Sequence, residues 1–151
     1  MRVLLINPPT LAKLPNKEYI IPPALIYLAG MLQKNSVEAK ILDLNIFKPW
    51  ERGLNAEQFC EDLILQQIAQ FEPLLIGFGC LFSGQFPPVL KFTERIRSEY
   101  KEIPIVLGGM HPTVFAKEIL TNCSSIDYIV IGEGEEQIVT LAQAVYRKDL
   151  N

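Results

Sequence analysis

The chain alternates between short apolar runs and longer segments in which apolar residues recur every three or four positions. Val3–Ile6 is continuously apolar, a pattern typical of a parallel strand buried on both faces. Residues 23–34 follow as a predicted helix, whose buried stripe holds Leu25, Leu28 and Leu32. This alternation repeats along the chain and predicts a succession of strand–helix units.

The remaining elements follow from the same periodicities. Strands are predicted over 37–44, 74–78, 105–107 and 128–131, and helices from about 55 onward, over 89–100, near 115–120 and over 135–147. Asn55 followed by Gln58 resembles an N-cap with a capping box. The residues expected to face inward from the second and last helices are Phe59, Leu63, Ile64, Ile68, Ile138, Leu141 and Val145.

Five units of roughly 30 residues each predict an α/β fold. The sequence indicates a doubly wound, flavodoxin-like or Rossmann-like parallel sheet of five strands in the order 2-1-3-4-5, with helices on both faces. We expect one domain over residues 1–151, because no linker or low-complexity segment interrupts the pattern.

Composition narrows the class of protein. Apolar residues make up 49% and charged residues 21% of the chain, which favours a folded domain over disorder. The net charge is −3 with no Lys/Arg cluster, which argues against nucleic acid or an anionic membrane as a partner. The three cysteines show no CxxC spacing, so a zinc site or disulfide framework is not expected. No apolar run is long enough to span a membrane, and we expect a soluble cytoplasmic domain.

Four loops are expected at the carboxyl edge of the sheet, where ligands of such folds bind. Three of these loops are rich in glycine, which lets another molecule approach the backbone closely. The candidate ligand-contacting residues are Asn7, Pro8, Pro9, Gly79, Cys80, Leu81, Phe82, Ser83, Gly108, Gly109, Met110, His111, Gly132, Glu133, Gly134 and Glu135.

The loops lack the signatures of the usual ligands of this architecture. There is no GxGxxG after the first strand, and the pattern begun by Gly77 and Gly79 has Phe82 where its third glycine belongs. No GxxxxGK[ST] motif is present. Pro8 and Pro9 remove backbone donors that a flavin phosphate would need. The third strand ends without the aspartate of a phospho-receiver, so nucleotide and phosphorelay functions are disfavoured.

At these loops the chain resembles the cobalamin-binding domain of radical S-adenosylmethionine proteins. The resemblance extends from residue 2 to about 145, and its motifs occur in the family's order at 4–9, 22–29, 41–45, 77–80, 106–112 and 127–135. It implies that cobalamin lies over the carboxyl edge with its own base detached from cobalt. The nucleotide tail would enter a slot lined by the loops after strands three, four and five. Gly108 and Gly109 match the paired glycines that let the tail pass.

Three departures from related patterns matter. Gly79-Cys80-Leu81 stands where cobalamin-dependent methyltransferases carry Ser-x-Leu, so the serine's bond would have to come from Ser83 or from backbone groups. Residues 7–22 contain no histidine, unlike the Asp-x-His-x-x-Gly of methionine-synthase-like domains. The resemblance therefore implies cobalamin without a protein lower ligand.

The third departure is that Cys-x-x-x-Cys-x-x-Cys does not occur in these residues. We therefore expect S-adenosylmethionine and a four-iron four-sulfur cluster only in a parent protein, whose barrel domain would be the partner in cis or in trans. No catalytic residue is expected in this chain itself.

Several residues have two interpretations. His111 is either a cobalt ligand or a loop and helix-cap residue. Cys80 either touches the corrin or serves as a small hydrophobe. Asn7 anchors its loop or contacts the ligand, and Glu133 and Glu135 bond the cofactor or favour the dipole of the last helix. Apolar loop residues form either a floor beneath the ligand or ordinary core: Phe82, Phe86 and Met110.

The sequence thus favours a cobalamin-carrying module that serves methyl transfer or related radical chemistry. The alternatives are a scaffold domain of the same fold that binds nothing, and a flavodoxin-like binder of another ligand.

Overall fold

The fold is known from a computed structural model that describes residues 1–9, 19–52 and 55–149. Five strands form one sheet, in which all four neighbouring pairs are parallel. The strands are β1 (Arg2–Asn7), β2 (Glu38–Asp43), β3 (Leu75–Gly79), β4 (Ile105–Gly108) and β5 (Tyr128–Val130). Their order is β2-β1-β3-β4-β5, which confirms the predicted topology.

The described helices cover both faces of the sheet. They are α1 (Pro23–Lys34), α2 (Ala56–Phe71), α3 (Phe86–Glu99), α4 (Met110–Val114), α5 (Ala116–Asn122) and α6 (Glu135–Arg147). One face packs against α2, α3 and α5, and we refer to it as the α2/α3 face. The other packs against α1 and α6 and is the α1/α6 face. None of the helices in these ranges combines the length and hydropathy needed to cross a bilayer.

Strand side chains divide between two apolar cores, as alternation along a pleated strand requires. On the α2/α3 face the core contains Leu4, Ile6, Ile76, Phe78 and Leu107, all buried. The α1/α6 face buries a second core, whose strand members include Val3, Leu5, Leu75, Val106 and Val130.

Most element bounds match the sequence prediction, and three features differ. Helix α3 begins at Phe86, earlier than predicted, because Pro87 and Pro88 fit the first turn, where helix backbone N–H groups have no intrahelical partner. The helix predicted near 115–120 is confirmed as α5, and a further short helix that was not predicted, α4, precedes it and is capped at Phe115. The capping box predicted at Asn55 is wrong, since its side chain makes no capping hydrogen bond.

Candidate functional site

A cavity of about 620 Å³ lies between the α1/α6 face of the sheet and helices α1 and α6, and reaches the carboxyl edge. Strands β1, β3, β4 and β5 all contribute to its wall. The lining residues are Leu5, Asn7, Tyr19, Ile20, Ile21, Pro22, Pro23, Ala24, Leu25, Leu28, Asn45, Gly77, Phe78, Gly79, Cys80, Leu81, Phe82, Gln85, Val106, Gly108, Gly109, Val130, Gly132, Glu133, Gly134, Glu135 and Ile138.

Three glycines lie on the sheet wall of this cavity, and two of them, Gly79 and Gly108, leave it flat. Beside Gly77 the space is taken by Leu5, whose Cδ2 would lie 3.0 Å from a Cβ there. Gly77, Gly79 and Gly108 alternate with residues of the opposite core, so all three face α1 and α6. Gly79 pairs with Gly108 across β3 and β4. A Cβ on Gly79 would lie 3.4 Å from Cδ2 of Leu25, and one on Gly108 would lie 4.0 Å from Cβ of Val130. The cavity therefore occupies space that ordinary side chains would fill.

A buried carboxylate organises the rim beside β1 and β2. Oδ1 of Asp43 accepts hydrogen bonds from Nδ2 of Asn7 at 2.9 Å and from the backbone N–H of Asn45 at 3.0 Å. Oδ2 of Asp43 accepts a bond from the Tyr19 hydroxyl at 2.8 Å. This bond, with burial and the charge of Asp43, raises the pKa of Tyr19. The contact fixes the start of the segment that supplies Ile20 and Ile21 to the wall.

The loop after β3 is held by one amide side chain. Oε1 of Gln85 accepts hydrogen bonds from the backbone N–H groups of Leu81, at 2.9 Å, and Phe82, at 3.1 Å. The side chains of Leu81 and Phe82 are exposed at the rim, at 55% and 66%. Gln85 thus presents two apolar side chains at the mouth of the cavity.

Cys80 is fixed between two strand ends. Its N–H donates to the Gly108 carbonyl at 2.7 Å, and its thiol approaches the Phe82 carbonyl at 3.7 Å. Burial raises the pKa of the thiol to about 11. The thiol is therefore protonated at neutral pH, whereas metal coordination requires a thiolate.

The backbone conformation at position 109 requires glycine. Its φ is +114° and its ψ is −175°, a region essentially restricted to glycine. A Cβ there would lie 2.6 Å from the backbone oxygen of Cys80. The space beside Gly109 is thus taken by the neighbouring loop, and of the paired glycines Gly108 is the one with open space at its Cβ position.

His111 lies beside the cavity lining and is engaged by other groups. Its Nδ1 is 3.0 Å from Oγ of Ser83. Its ring packs between Phe86 and Phe115, with centroids 4.7 Å and 4.9 Å away. Burial lowers the pKa of His111. The expected role of Ser83 in replacing a missing hydroxyl gains no support, because that hydroxyl contacts His111.

Charge at the site is acidic. Glu133 and Glu135 line the cavity next to the N-terminus of α6, and the described lining contains no Lys or Arg. Within the described ranges no group of three or more His, Cys, Asp or Glu side chains is placed to hold a metal ion.

The structure brings eleven of the sixteen predicted site residues to this one cavity. Those outside its lining are Pro8, Pro9, Ser83, Met110 and His111. Sequence reasoning missed Tyr19, Asn45, Gly77 and Gln85, together with the wall formed by residues 20–25. The alternation of Gly77 and Gly79 along one strand was an available signal, because it places both on one face.

A family model described as the B12 binding domain matches residues 14–142. The chain is 33% identical over 155 residues to the anaerobic magnesium-protoporphyrin IX monomethyl ester cyclase of Synechocystis sp., covering 100% of this chain and 29% of that protein. It is 32% identical to the cytidylyl-2-hydroxyethylphosphonate methyltransferase of Streptomyces wedmorensis, covering 89% of this chain and 26% of that one. The chain thus spans less than a third of the length of these curated relatives.

Solved structures support the fold alone. The N-terminal domain of a response regulator receiver protein from Methanoculleus marisnigri JR1 superposes with a TM-score of 0.51 at 12% identity, covering 95% of this chain and 93% of that one. The pseudo-receiver domain of the CikA protein gives a TM-score of 0.53 at 13% identity, with the same coverage of both chains. Both likenesses agree with the flavodoxin-like order of strands.

Proposed function

Since this chain belongs to the B12-binding domain family, we propose that it binds cobalamin at the carboxyl edge of its sheet. The observation that carries the proposal is the glycine wall of Gly79 and Gly108, paired across β3 and β4, which leaves a flat space between sheet and helices. A planar base fits such a space, because no side chain rises from the sheet at these two positions.

Two groups of residues would hold the cofactor. The glycine wall and the facing side chains of α1 and α6 would hold the nucleotide tail inside the cavity. The apolar rim would support the macrocycle through exposed side chains that no described core residue covers: Ile20, Leu81, Phe82, Met110 and Ile131. Apolar contact of this kind suits the broad faces of a large ring.

We further propose that the cobalamin is bound base-off with no protein lower ligand. The Cys80 thiol is buried and protonated, and the His111 ring lies outside the cavity lining, packed between Phe86 and Phe115. Tail insertion between sheet and helices would keep the cofactor's own base in the protein.

The relatives also indicate which kind of reaction the cofactor would serve. Cobalamin supplies a cobalt centre suited to methyl transfer and related radical chemistry. Two of the matched relatives are named methyltransferases and another a cyclase, and each is more than three times the matched length. We propose that a radical S-adenosylmethionine barrel, in cis or in trans, uses the cofactor that this domain holds.

The acidic lining disfavours a flavodoxin-like binder of a phosphorylated ligand. Glu133 and Glu135 line the cavity without a described Lys or Arg, so a doubly charged phosphate monoester would be repelled more strongly than the singly charged phosphodiester of the cobalamin tail. Pro22 and Pro23 also deprive the start of α1 of two backbone donors that a phosphate would use.

The test is retention of hydroxocobalamin after gel filtration, followed by visible absorbance. We expect one cofactor per chain. Gly108→Val projects into the cavity, and its Cβ would lie 4.0 Å from Cβ of Val130 with no closer contact, so the variant should remain folded and bind at least about 100-fold more weakly. Gly30→Val is the matched control, because a Cβ at Gly30 meets open space on the exposed side of α1.

A colourless parent chain at high cofactor excess would support the scaffold alternative instead. Unchanged binding by a folded Gly108→Val variant would show that the tail lies elsewhere. Electron paramagnetic resonance of the cobalt(II) form tests the lower ligand. Axial nitrogen splitting that disappears in His111→Ala would overturn the base-off, unligated assignment.

A further inference from the structure

The cavity differs in polarity between its mouth and its interior. Its polar side chains all come from residues at or beyond the ends of strands: Asn7, Tyr19, Asn45, Gln85, Glu133 and Glu135. The interior wall on the sheet is formed by Leu5, Gly77, Val106 and Val130. A group that reaches past the strand ends therefore enters apolar surroundings.

The opposite wall of the interior is apolar as well. Leu25 and Leu28 project from α1, and Ile138 projects from α6. Backbone groups of the interior offer little to a ligand, because the strand residues bond within the parallel ladders and the backbone N–H groups of Leu28 and Ile138 bond within their helices. The N–H groups without an intrahelical partner belong to the first turns of α1 and α6, at the mouth of the cavity. In the described part of the cavity, a polar atom deep inside would be left without a partner.

We infer that this cavity selects among cobamides by the polarity of the lower base and favours apolar bases over purines. The inference rests on the proposed function, since it assumes that the base enters the cavity. A cresol base brings no ring nitrogen, dimethylbenzimidazole buries one unpaired acceptor nitrogen, and adenine buries an amine and several ring nitrogens. Each polar atom that loses water without gaining a partner weakens binding.

The expected order of affinity is p-cresolylcobamide at least equal to cobalamin, and cobalamin tighter than adeninylcobamide by about tenfold or more. Adenine is the weaker ligand of cobalt and detaches more readily, which would favour adeninylcobamide. A preference for cobalamin would therefore run against the chemistry of base detachment and would have to arise in the cavity.

The experiment titrates the full chain with these three cobamides and with cobinamide, which has no base, and follows visible absorbance. Adeninylcobamide binding as tightly as cobalamin would overturn the inference while leaving the proposed function intact. Failure of every cobamide to bind would contradict the proposed function itself. Cobinamide binding as tightly as cobalamin would show that the base contributes nothing and would also overturn the inference.

A matched pair of variants locates the source of selectivity. Val106→Thr places a hydroxyl in the interior with little change of shape, and should reduce the preference for cobalamin over adeninylcobamide by several-fold. Val89→Thr makes the same change in the buried core of the α2/α3 face and should leave that ratio unchanged. An unaltered ratio in a folded Val106→Thr variant, or an equal change in both, would show that the apolar interior is not the cause.

Discussion

The two faces of the sheet are built from the same apolar strands yet differ in how far they are filled. On the α2/α3 face, Ile6, Phe78 and Leu107 carry large buried side chains almost to the carboxyl ends of their strands. On the α1/α6 face, the corresponding places near those ends are taken by Gly79 and Gly108. One face is therefore a complete core, and the other is a core with a vacancy at one end.

The two faces of the one sheet therefore serve different ends: the α2/α3 face stabilises the fold, and the α1/α6 face also provides the candidate binding cavity. The α2/α3 face is filled by buried apolar side chains, as most protein interiors are. The α1/α6 face is not filled at its carboxyl end. Its cavity is bounded there by the segment that Tyr19 anchors to Asp43 and by the loop that Gln85 holds through hydrogen bonds. The same substitution should therefore lower the free energy of unfolding more on the α2/α3 face than on the α1/α6 face.

The largest effect is expected from shortening a leucine on the filled face. Leu4 and Leu5 are adjacent and buried, but Leu4 belongs to the α2/α3 core while Leu5 lines the cavity. Leu4→Ala should lower the free energy of unfolding by about 3–5 kcal/mol, and Leu5→Ala by about 2–3 kcal/mol, because Leu5 already borders empty space. Urea denaturation measures both. Equal losses, or a larger loss at Leu5, would break the comparison.

The second largest effect is expected at Gly109, in the loop that follows β4 at the edge of the cavity. Gly109→Ala should lower the free energy of unfolding by about 3 kcal/mol, since a Cβ would meet the Cys80 carbonyl in a backbone region restricted to glycine. Gly30→Ala serves as the control in open space on α1 and should raise stability by up to about 1 kcal/mol. Thermal and urea unfolding report on both. A neutral Gly109→Ala would refute the contact between these loops.

The smallest effect is expected at Tyr19, next to the wall residues Ile20 and Ile21. Tyr19→Phe removes the hydrogen bond to Asp43 and should cost about 1 kcal/mol or less at pH 7, because the tyrosine is half-exposed. The pKa of Tyr19 is raised in the folded state, so this contribution is complete below about pH 10, the tyrosine's ordinary pKa. It is lost as pH rises through the higher folded value.

The difference in stability between parent and Tyr19→Phe should therefore narrow above pH 10. Other groups that ionise there, including Cys60 and Cys80, are present in both chains and cancel from the difference. A gap that stays constant or widens with alkaline pH would show that the Tyr19 hydroxyl is not bonded to Asp43.

Periodicity predicted the architecture well because the spacing of apolar residues within each element shows both its type and its buried face. The last helix was placed at 135–147, which agrees with α6, and the sheet order followed from the alternation of units. The prediction of caps and helix boundaries was weaker, because the surrounding structure determines them as well as the local sequence. Nothing local indicates that Asn55 lacks a capping bond, or that a separate short helix, α4, precedes α5.

The candidate site was predicted in part for the same reason. Loops after strands mark the carboxyl edge, and most of their residues do line the cavity. Periodicity places Gly77 and Gly79 on the same face of the sheet but cannot say which face has room, so Gly77 was not predicted as a site residue. Nor can it show that His111 is held between two phenylalanine rings, or that Tyr19 reaches Asp43 across 24 positions.

Gly108 and Gly109 are neighbours in the chain, yet mutational drift should treat them differently. At Gly109 the fold itself forbids a side chain, whether or not a ligand is ever bound. At Gly108 the fold leaves room for one, and a β-branched residue there would suit a strand better than glycine does. In a lineage released from carrying a ligand, position 108 should therefore be among the first to gain a side chain, while position 109 stays glycine. The residue at 108 becomes a marker of whether such a domain still works as a carrier.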